Sequence, residues 1–188
     1  MSVAKRRWPR LAELHTIAFD FDGVFTDNKV YVMQNGMELV RCDRADGLAV
    51  DLLRRYRRRK APGLDVLIIS TERNPVVAAR ARKLRLTCRQ AVGDKLTFLE
   101  TYLRRRHSRL KDPFAGLLYV GNDLNDLPII RRAGFSIAPR DAHAIVRRAA
   151  GVVLPQNGGE GFVRALVERL LGVDALTVED IDELVLDR

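Results

Sequence analysis

Two aspartates, Asp20 and Asp22, lie two residues apart at the end of a short apolar segment. They are followed by Gly23, Thr26 and Asp27, which complete the run Asp-Phe-Asp-Gly-Val-Phe-Thr-Asp. In a strand, residues two apart share a face, so this spacing predicts two neighbouring carboxylates. Such carboxylates repel unless a cation separates them or one holds a proton, and Mg²⁺ with a phosphoryl group is a usual solution. A strand that ends in a polar turn explains the same residues without chemistry.

Polar side chains also follow other predicted strands. Ser70 and Thr71 follow an apolar run, Asn122 and Asp123 follow another, and Lys95 opens a predicted helix after a third, weaker strand. In an open parallel sheet, ligands bind at the carboxyl ends of the strands. Four loops with matching chemistry therefore favour one shared site over a simple polar turn.

The alternation of strand and helix patterns predicts an α/β protein, a Rossmann-like three-layer sandwich with a mostly parallel central sheet. Asn35-Gly36 predicts a β-hairpin flap over residues 29–42. Asp46-Gly47 is predicted to open the first helix, and Asp141 to cap a later one. The predicted strands of the sheet are 16–21, 65–70, 87–91, 116–120, 135–138 and 152–154, and the predicted helices are 48–59, 75–84, 95–106, one ending at 132, 142–149 and one ending at 171.

Length and composition predict one soluble domain. The chain has 188 residues, 47% hydrophobic and 30% charged, and we expect a single domain over 1–172 followed by an acidic tail, 173–188, that forms a short amphipathic helix. That helix docks on its own subunit or on a neighbour. No apolar run has membrane length and no secretory signal precedes the domain, so a cytoplasmic protein is expected. Cys42 and Cys88 are too few and too far apart to predict a disulfide framework or a zinc site.

The net charge of +9 concentrates in arginine runs at 54–60 and 104–106. Nucleic-acid binding is one interpretation of these runs. Both runs close predicted helices and neither is interleaved with several aromatic residues, so solvated helix ends are the better interpretation. We therefore do not expect a nucleic-acid partner, although an anionic substrate would benefit from the positive charge.

These residue types together permit phosphoryl transfer. Asp20 can attack phosphorus as a carboxylate, forming an aspartyl phosphate. Asp22 can act as general acid and then base, which requires a pKa above that of a free aspartate. Ser70 can donate to a phosphate oxygen, and Lys95 can neutralise charge and restrain Asp20. Mg²⁺ would bind Asp20, a backbone carbonyl near Asp22 and an oxygen of the Asn122 loop.

The sequence resembles the haloacid dehalogenase (HAD) superfamily of phosphohydrolases over residues 15–172. The resemblance rests on the Asp20–Asp27 run, Ser70 of the second motif, Lys95 of the third, and the fourth motif at 121–126. It is similar to a capless group that contains 3-deoxy-D-manno-octulosonate 8-phosphate phosphatases, acylneuraminate-9-phosphate phosphatases and domains linked to acylneuraminate cytidylyltransferases. The resemblance implies a Mg²⁺ cofactor held by Asp20, the backbone carbonyl of Asp22 and Asn122, with Asp123 as an alternative or outer ligand and Asp126 behind them.

The chain departs from the octulosonate phosphatases at two motifs. Their fourth motif begins Gly-Asp-Asp with the first aspartate as metal ligand, and this chain has Asn122 there, a neutral ligand expected to lower metal affinity. Their second motif reads Thr-Gly-Arg, whereas this chain has Ser70-Thr71-Glu72. The second difference favours the acylneuraminate branch.

Several further residues are candidates for the substrate, which the resemblance implies is a sugar acid phosphate. Arg44, Arg73 and Arg164 can bind a carboxylate or phosphate, with Arg164 favoured by family analogy and solvated surface as the alternative for each. Glycines of the 158–161 loop either cradle an anion or make a tight turn. His143 is expected to be structural or on the rim, and Trp8 and Cys88 to be packing residues. The substrate-binding set is then Thr26, Thr71, Arg73, Arg164, Gly158 and Gly159.

The resemblance also implies a homotetramer in which the hairpin of one subunit closes the active site of its neighbour; a simple edge ribbon is the alternative. The predicted function is Mg²⁺-dependent hydrolysis of an eight- or nine-carbon 2-keto-3-deoxy sugar acid phosphate through an aspartyl phosphate. Two other functions stay open: a weakly active or inactive domain that serves as an oligomerisation module for a CMP-sugar biosynthetic enzyme, and a nucleic-acid end phosphatase or binder.

Overall fold

The computed structural model describes residues 7–186 and contains a six-stranded sheet and a separate two-stranded hairpin. The strands are β1 (Thr16–Phe19), β2 (Thr26–Val32), β3 (Glu38–Cys42), β4 (Asp65–Ile69), β5 (Thr87–Arg89), β6 (Leu117–Val120), β7 (Phe135–Ala138) and β8 (Val152–Val153). The sheet has the order β5-β4-β1-β6-β7-β8 and every pairing in it is parallel, whereas β2 and β3 pair antiparallel. The predicted α/β class with a mostly parallel sheet is confirmed.

Helices cover both faces of the sheet, as the predicted three-layer sandwich requires. The helices are α1 (Arg44–Lys60), α2 (Pro75–Leu84), α3 (Lys95–Arg106), α4 (Leu127–Arg132), α5 (Ala144–Ala149), α6 (Phe162–Leu171) and α7 (Val178–Leu186). Side chains alternate along each buried strand, so Ile17 and Phe19 enter one core with α1, α2 and α6, while Ala18 enters a second core with α3, α4 and α5. Because both faces are covered, the central strands are apolar throughout.

The first strand ends earlier than predicted. β1 stops at Phe19, and the chain turns immediately, with the Phe25 amide donating to the Phe21 carbonyl at 2.9 Å and Gly23 at φ +74°. Strand alternation is therefore the wrong reason for Asp20 and Asp22 to share a site. A glycine-containing turn after the strand brings them there instead.

The first helix begins four residues before the predicted start. Asp43 caps α1 by accepting from the Ala45 amide at 2.8 Å. Asp46 lies inside the first turn, fully buried, and its Oδ1 accepts from the Arg164 amide of α6 at 2.9 Å. Asp46 therefore joins two helices rather than opening one.

The cap of α5 also differs from the prediction. His143 is the N-cap, with Nδ1 accepting from the Ile145 amide at 3.2 Å. The predicted cap, Asp141, instead accepts from the Gly158 amide at 3.0 Å, which ties this loop to the 158–161 loop. His143 thus has the structural role expected of it. The other sheet strands lie within two residues of their predicted bounds, and α2 and α3 match theirs.

The acidic C-terminal helix lies against α1 of the same chain. Arg59 donates to the Glu183 carbonyl at 3.0 Å, and Arg55 donates to the carbonyls of Leu184, at 3.3 Å, and Val185. Carbonyls at a helix C-terminus lack intrahelical partners, so arginine is a natural partner for them. At the other end of the chain, Trp8 packs on the core under the Arg169 guanidinium. No helix in the described range is both long and apolar enough to cross a membrane.

Candidate active site

A cavity of about 640 Å³ lies at the carboxyl ends of β1, β4 and β6. These three strands are neighbours in the sheet, so the loops that follow them meet at its edge, where the strand order reverses. The hairpin β2–β3 supplies a further wall. Six of the predicted site residues line the cavity: Asp20, Asp22, Ser70, Thr71, Asn122 and Asp123.

Asp20 and Lys95 form a buried ion pair at the floor of the site. The Asp20 amide donates to the Val120 carbonyl at 2.8 Å, which continues the β1–β6 pairing one residue beyond the strand. The Lys95 Nζ lies 2.8 Å from the Asp20 Oδ1, and the two side chains are 1% and 8% exposed. Lys95 is the first residue of α3, whose N-cap is Asp94. This ion pair is the contact through which Lys95 is predicted to restrain the Asp20 carboxylate.

Asp126 anchors the same network from behind. Its Oδ1 accepts from Lys95 at 2.8 Å and from the Tyr119 hydroxyl at 2.6 Å. Its Oδ2 accepts from the amides of Asn122 and Asp123 at 2.9 and 3.2 Å. One buried carboxylate therefore holds both the lysine and the β6 loop in place.

Sequence reasoning missed Tyr119 behind the site, as it missed Glu38 and Glu72 in the cavity wall. Tyr119 is fully buried within the apolar strand Leu-Leu-Tyr-Val, and its hydroxyl reaches Asp126. The sequence does contain a signal for this contact. A tyrosine in a strand that is covered on both faces needs a buried hydrogen-bond partner for its hydroxyl.

The electrostatics of the floor are set by burial and by the lysine. Burial and the Asp126 carboxylate raise the pKa of Asp20, while Lys95 opposes that shift. Burial acts to lower the pKa of Lys95, but Asp20 and Asp126 outweigh it and raise that pKa. The lysine is therefore charged and faces two carboxyl groups, of which Asp20 has its pKa raised to about 7.

Asp22 has the raised pKa expected of an acid–base group. Burial is the main cause, and the negative charge of Glu72 adds to it. Thr26 lies behind Asp22 and is fully buried, with its Oγ1 accepting from the amides of Gly23 and Asn28 at 3.1 and 3.2 Å. Thr26 does not line the cavity, so its predicted contact with substrate is replaced by a role in shaping the turn.

Asn122 provides the test of whether a metal ion fits. Its Oδ1 is buried and has no hydrogen-bond partner among the described residues, and its side chain packs so closely over Gly23 that a Cβ there would lie 1.9 Å from Nδ2. An orphaned amide oxygen beside Asp20 and Asp22 suits a hard cation, which takes oxygen ligands. Within residues 7–186, no three His, Cys, Asp or Glu side chains lie together in a way that could hold a metal ion. The observation that fits a cation is the unpaired amide oxygen of Asn122.

The loop after β4 presents hydroxyls to the cavity. The Ser70 amide donates to the Arg89 carbonyl at 2.8 Å, and its Oγ accepts from the Glu72 amide at 3.1 Å. The Thr71 Oγ1 accepts from the Asn125 Nδ2 at 3.1 Å. The Ser70 Oγ also donates to the Glu72 carbonyl at 3.4 Å, a long contact that a closer acceptor in the cavity can replace, whereas the Thr71 hydroxyl only accepts, which leaves its hydrogen for a ligand.

The structure does not bring the remaining candidates into this cavity. Arg73 is exposed outside its lining, and the Arg164 Nε pairs with Glu168 at 2.7 Å on the surface of α6. The amides of Gly158 and Gly159 are committed to the Asp141 side chain and the Val24 carbonyl. These two glycines pack directly on the Gly23–Asp27 backbone, where a Cβ would lie 2.0–2.4 Å from its atoms. The tight-turn alternative therefore describes them, and the anion cradle is wrong for this chain conformation.

The hairpin lies over its own chain's cavity. Lys29, Val30 and Glu38 line it, and the Glu38 carboxylate accepts from the Asn74 Nδ2 at 2.8 Å. The hairpin also carries an exposed apolar surface, with exposures of 48–65%: Val30, Tyr31, Val32, Met33, Met37 and Leu39.

Comparison with known proteins identifies the class. No model of a protein family matches the chain. The chain is 30% identical over 159 residues to the 3-deoxy-D-manno-octulosonate 8-phosphate phosphatase KdsC of Escherichia coli K12, covering 84% of this chain and 79% of that protein. A Streptomyces avermitilis structure assigned to the HAD family of hydrolases superposes with a TM-score of 0.81 at 36% identity, over 94% and 97% of the two chains. A Moraxella catarrhalis 3-deoxy-D-manno-octulosonate 8-phosphate phosphatase, solved with magnesium, phosphate and KDO, gives 0.75 at 26% identity over 86% and 88%.

A parallel sheet with carboxylates, a serine and a lysine gathered at its carboxyl edge defines an α/β phosphatase of the HAD type. The chain belongs to the HAD superfamily, as a phosphatase that resembles KdsC.

Proposed function

We propose that this phosphatase hydrolyses the phosphomonoester of a 2-keto-3-deoxy sugar acid. The preferred candidate is the eight-carbon 3-deoxy-D-manno-octulosonate 8-phosphate (KDO 8-phosphate). The convergence of Asp20, Ser70 and Asn122 on one cavity, with Lys95 paired to Asp20 beneath it, supports the chemistry. The names of the relatives support the eight-carbon substrate. The nine-carbon acylneuraminate phosphates remain the alternative, on the ground of Ser70-Thr71-Glu72 alone.

In the proposed mechanism, an Asp20 oxygen forms a bond to phosphorus and the bond between phosphorus and the sugar oxygen breaks. Asp22, with its raised pKa, gives its proton to that sugar oxygen. Asp22 then takes a proton from water as the water oxygen attacks phosphorus, which releases phosphate and restores the Asp20 carboxylate. Lys95 and the Ser70 hydroxyl hold the transferring group's oxygens and balance its charge.

Asp20, the Asp22 backbone carbonyl and Asn122 would hold Mg²⁺, with Asp123 at the cavity wall as an outer partner. When bound, the ion supplies charge neutralisation between the carboxylates and the phosphoryl oxygens. The cavity wall is otherwise strongly acidic, with Glu38 and Glu72 added to these aspartates and Lys29 as its lining cation. An anionic substrate would be repelled by such a wall, so its entry depends on a cation in the site.

The exposed apolar hairpin supports the proposal of a homotetramer in which hairpins pack on neighbouring subunits. Contiguous apolar side chains at this exposure are typical of an interaction surface. Light scattering coupled to size exclusion would show tetramers for the wild type and smaller species for Val32→Lys, while Leu110→Lys, an exposed leucine away from the hairpin, retains the wild-type mass. Monomeric wild-type protein at micromolar concentration would refute this assembly.

The test of function is phosphate release from KDO 8-phosphate, an acylneuraminate 9-phosphate and simple sugar phosphates, each with Mg²⁺ and with EDTA. We expect Mg²⁺-dependent turnover that Asp20→Asn abolishes. The matched control is Asp112→Asn, which removes a carboxylate paired with Arg132 far from the cavity and retains activity. Turnover by Asp20→Asn would refute the nucleophile. Failure to act on any substrate would favour the oligomerisation module, an alternative that the neutral ligand Asn122 supports.

A further inference from the structure

A second cavity, between α1 and α2, is lined mostly by basic side chains. Its volume is about 530 Å³ and it shares no lining residue with the candidate active site. Six basic side chains surround it, three from α1, two from α2 and one at the end of α2: Arg44, Arg54, Arg55, Arg80, Lys83 and Arg85.

The lining of this cavity contains fewer acidic side chains than basic ones. Asp51 is the one carboxylate in the lining, and it pairs with both Arg54 and Arg55, the latter at 2.8 Å. Arg55 also reaches the carbonyls at the end of α7. The other four cations have no carboxylate partner in the lining. Like charges gathered around a recess repel, and a bound polyanion would relieve that repulsion.

Two of the guanidinium groups have unused buried donors. The Nε atoms of Arg54 and Arg80 are buried and have no hydrogen-bond partner among residues 7–186. Arg80 uses an Nη atom on the Asp43 carbonyl at 2.7 Å, which fixes the side chain while its Nε remains unpaired. Buried donors of native proteins are almost always paired, so the chain itself satisfies these two guanidinium groups incompletely.

The lining chemistry selects phosphate groups and not nucleobases. Guanidinium groups match phosphate oxygens in geometry and charge. No aromatic side chain lines the cavity, so it offers no stacking surface for a base. Its volume lies in the range of small-ligand sites. We propose that this cavity binds a polyphosphate chain, either inorganic or the tail of a nucleotide.

The test is isothermal titration calorimetry of the full chain, without Mg²⁺ and with EDTA, using inorganic tripolyphosphate, ATP and orthophosphate as probes. The test variant is Lys83→Gln/Arg85→Gln, which removes two exposed cations of the cavity. The matched control is Arg105→Gln/Lys111→Gln, which removes one exposed arginine and one exposed lysine elsewhere. Circular dichroism confirms that both variants are folded.

We expect one tripolyphosphate per chain, with much weaker binding of orthophosphate. The test variant should raise the Kd by about tenfold or more, because each lost phosphate contact is a charge-assisted bond, and the control should leave it within about twofold. ATP binding as tight as that of tripolyphosphate identifies a nucleotide tail as an acceptable source, and much weaker ATP binding identifies the inorganic chain.

Three results would overturn the proposal. They are no binding of tripolyphosphate at millimolar concentration, equal loss in the test and control variants, and tighter binding of a single-stranded oligonucleotide that the test variant abolishes. The last would assign the surface to nucleic acid. None of them affects the proposed phosphatase function, which depends on a different cavity.

Discussion

The buried Lys95 offers a sharp test of the site, through Lys95→Met. The substitution keeps the length of the side chain but removes the cation that lies 2.8 Å from both Asp20 and Asp126. Two buried carboxylates then face each other without a counter-ion. Removing one partner of a buried ion pair costs about 3–5 kcal/mol. For a chain of this length, each kcal/mol lowers the melting temperature by about 2–4 °C, so the expected decrease is roughly 6–20 °C.

A second substitution distinguishes charge repulsion from lost packing. Lys95→Met/Asp20→Asn neutralises one of the two carboxylates, and we expect it to be more stable than Lys95→Met by about 1 kcal/mol or more. The raised pKa of Asp20 must rise further without the lysine. A raised folded-state pKa gives stability at low pH that is lost as the pH rises, so the deficit of Lys95→Met should grow from pH 5 to pH 8.

The measurement is urea unfolding followed by circular dichroism in Mg²⁺-free buffer at both pH values. The reasoning is refuted if Lys95→Met lies within 1 kcal/mol of the wild type. It is equally refuted if Asp20→Asn destabilises the Lys95→Met protein further. Phosphate release by Lys95→Met should fall about 100-fold or more, since a cation at the transferring group is lost.

Three further predictions concern neighbouring residues. Asn122→Asp should lower the Mg²⁺ concentration for half-maximal activity about tenfold, because an anionic ligand replaces a neutral one. The control Asn125→Asp, in the same loop, should leave that concentration unchanged. Equal effects of the two substitutions would argue against Asn122 as a ligand. Gly23→Ala should abolish most activity and destabilise the fold by more than about 2 kcal/mol in urea unfolding. The new Cβ would lie 1.9 Å from the Asn122 side chain, and the residue has a φ of +74°, which strains any residue with a Cβ. Wild-type activity and stability would contradict that packing. Asp46→Asn tests the buried carboxyl whose pKa burial raises to about 6. Ionisation destabilises the wild type as the pH rises from about 4 to about 6, because the folded-state pKa lies above the free value. The variant should therefore be about 2–3 kcal/mol more stable at pH 8 and no more stable at pH 3.5, and a pH-independent difference would disprove the assignment.

The strand ends show how far sequence reasoning reached. Apolar runs followed by Asp20, Ser70 and Asn122 located three walls of the cavity correctly, because parallel strands end at one edge and the residue after each strand points there. The predicted same-face relation of Asp20 and Asp22 was wrong in its cause, since β1 ends before both. Local patterns specify a strand's existence better than its last residue.

Candidates drawn from residue type or from family analogy do not reach the cavity. Arg73 was chosen because arginine binds phosphate, and Arg164 also by family analogy, but the structure places Arg164 beside Glu168 and leaves Arg73 outside the cavity. Gly158 and Gly159 were considered as an anion cradle, and they instead allow the close approach of two backbones. The arginine runs predicted solvated helix ends, whereas Arg54 and Arg55 belong to a cavity whose other cations come from distant positions.

The amino-acid sequence alone determined the α/β class, the hairpin and the groups that surround Asp20 and Asp22. These features depend on periodicity, turn residues and the order of motifs, which are local properties of the chain. Tertiary structure alone decided that Asp126 and Tyr119 hold Lys95, that Asn122 has an unpaired oxygen over Gly23, and that basic residues of α1 and α2 enclose a second cavity. Each of these depends on contacts between segments far apart in the chain, whose geometry is set by the packing of helices on the sheet.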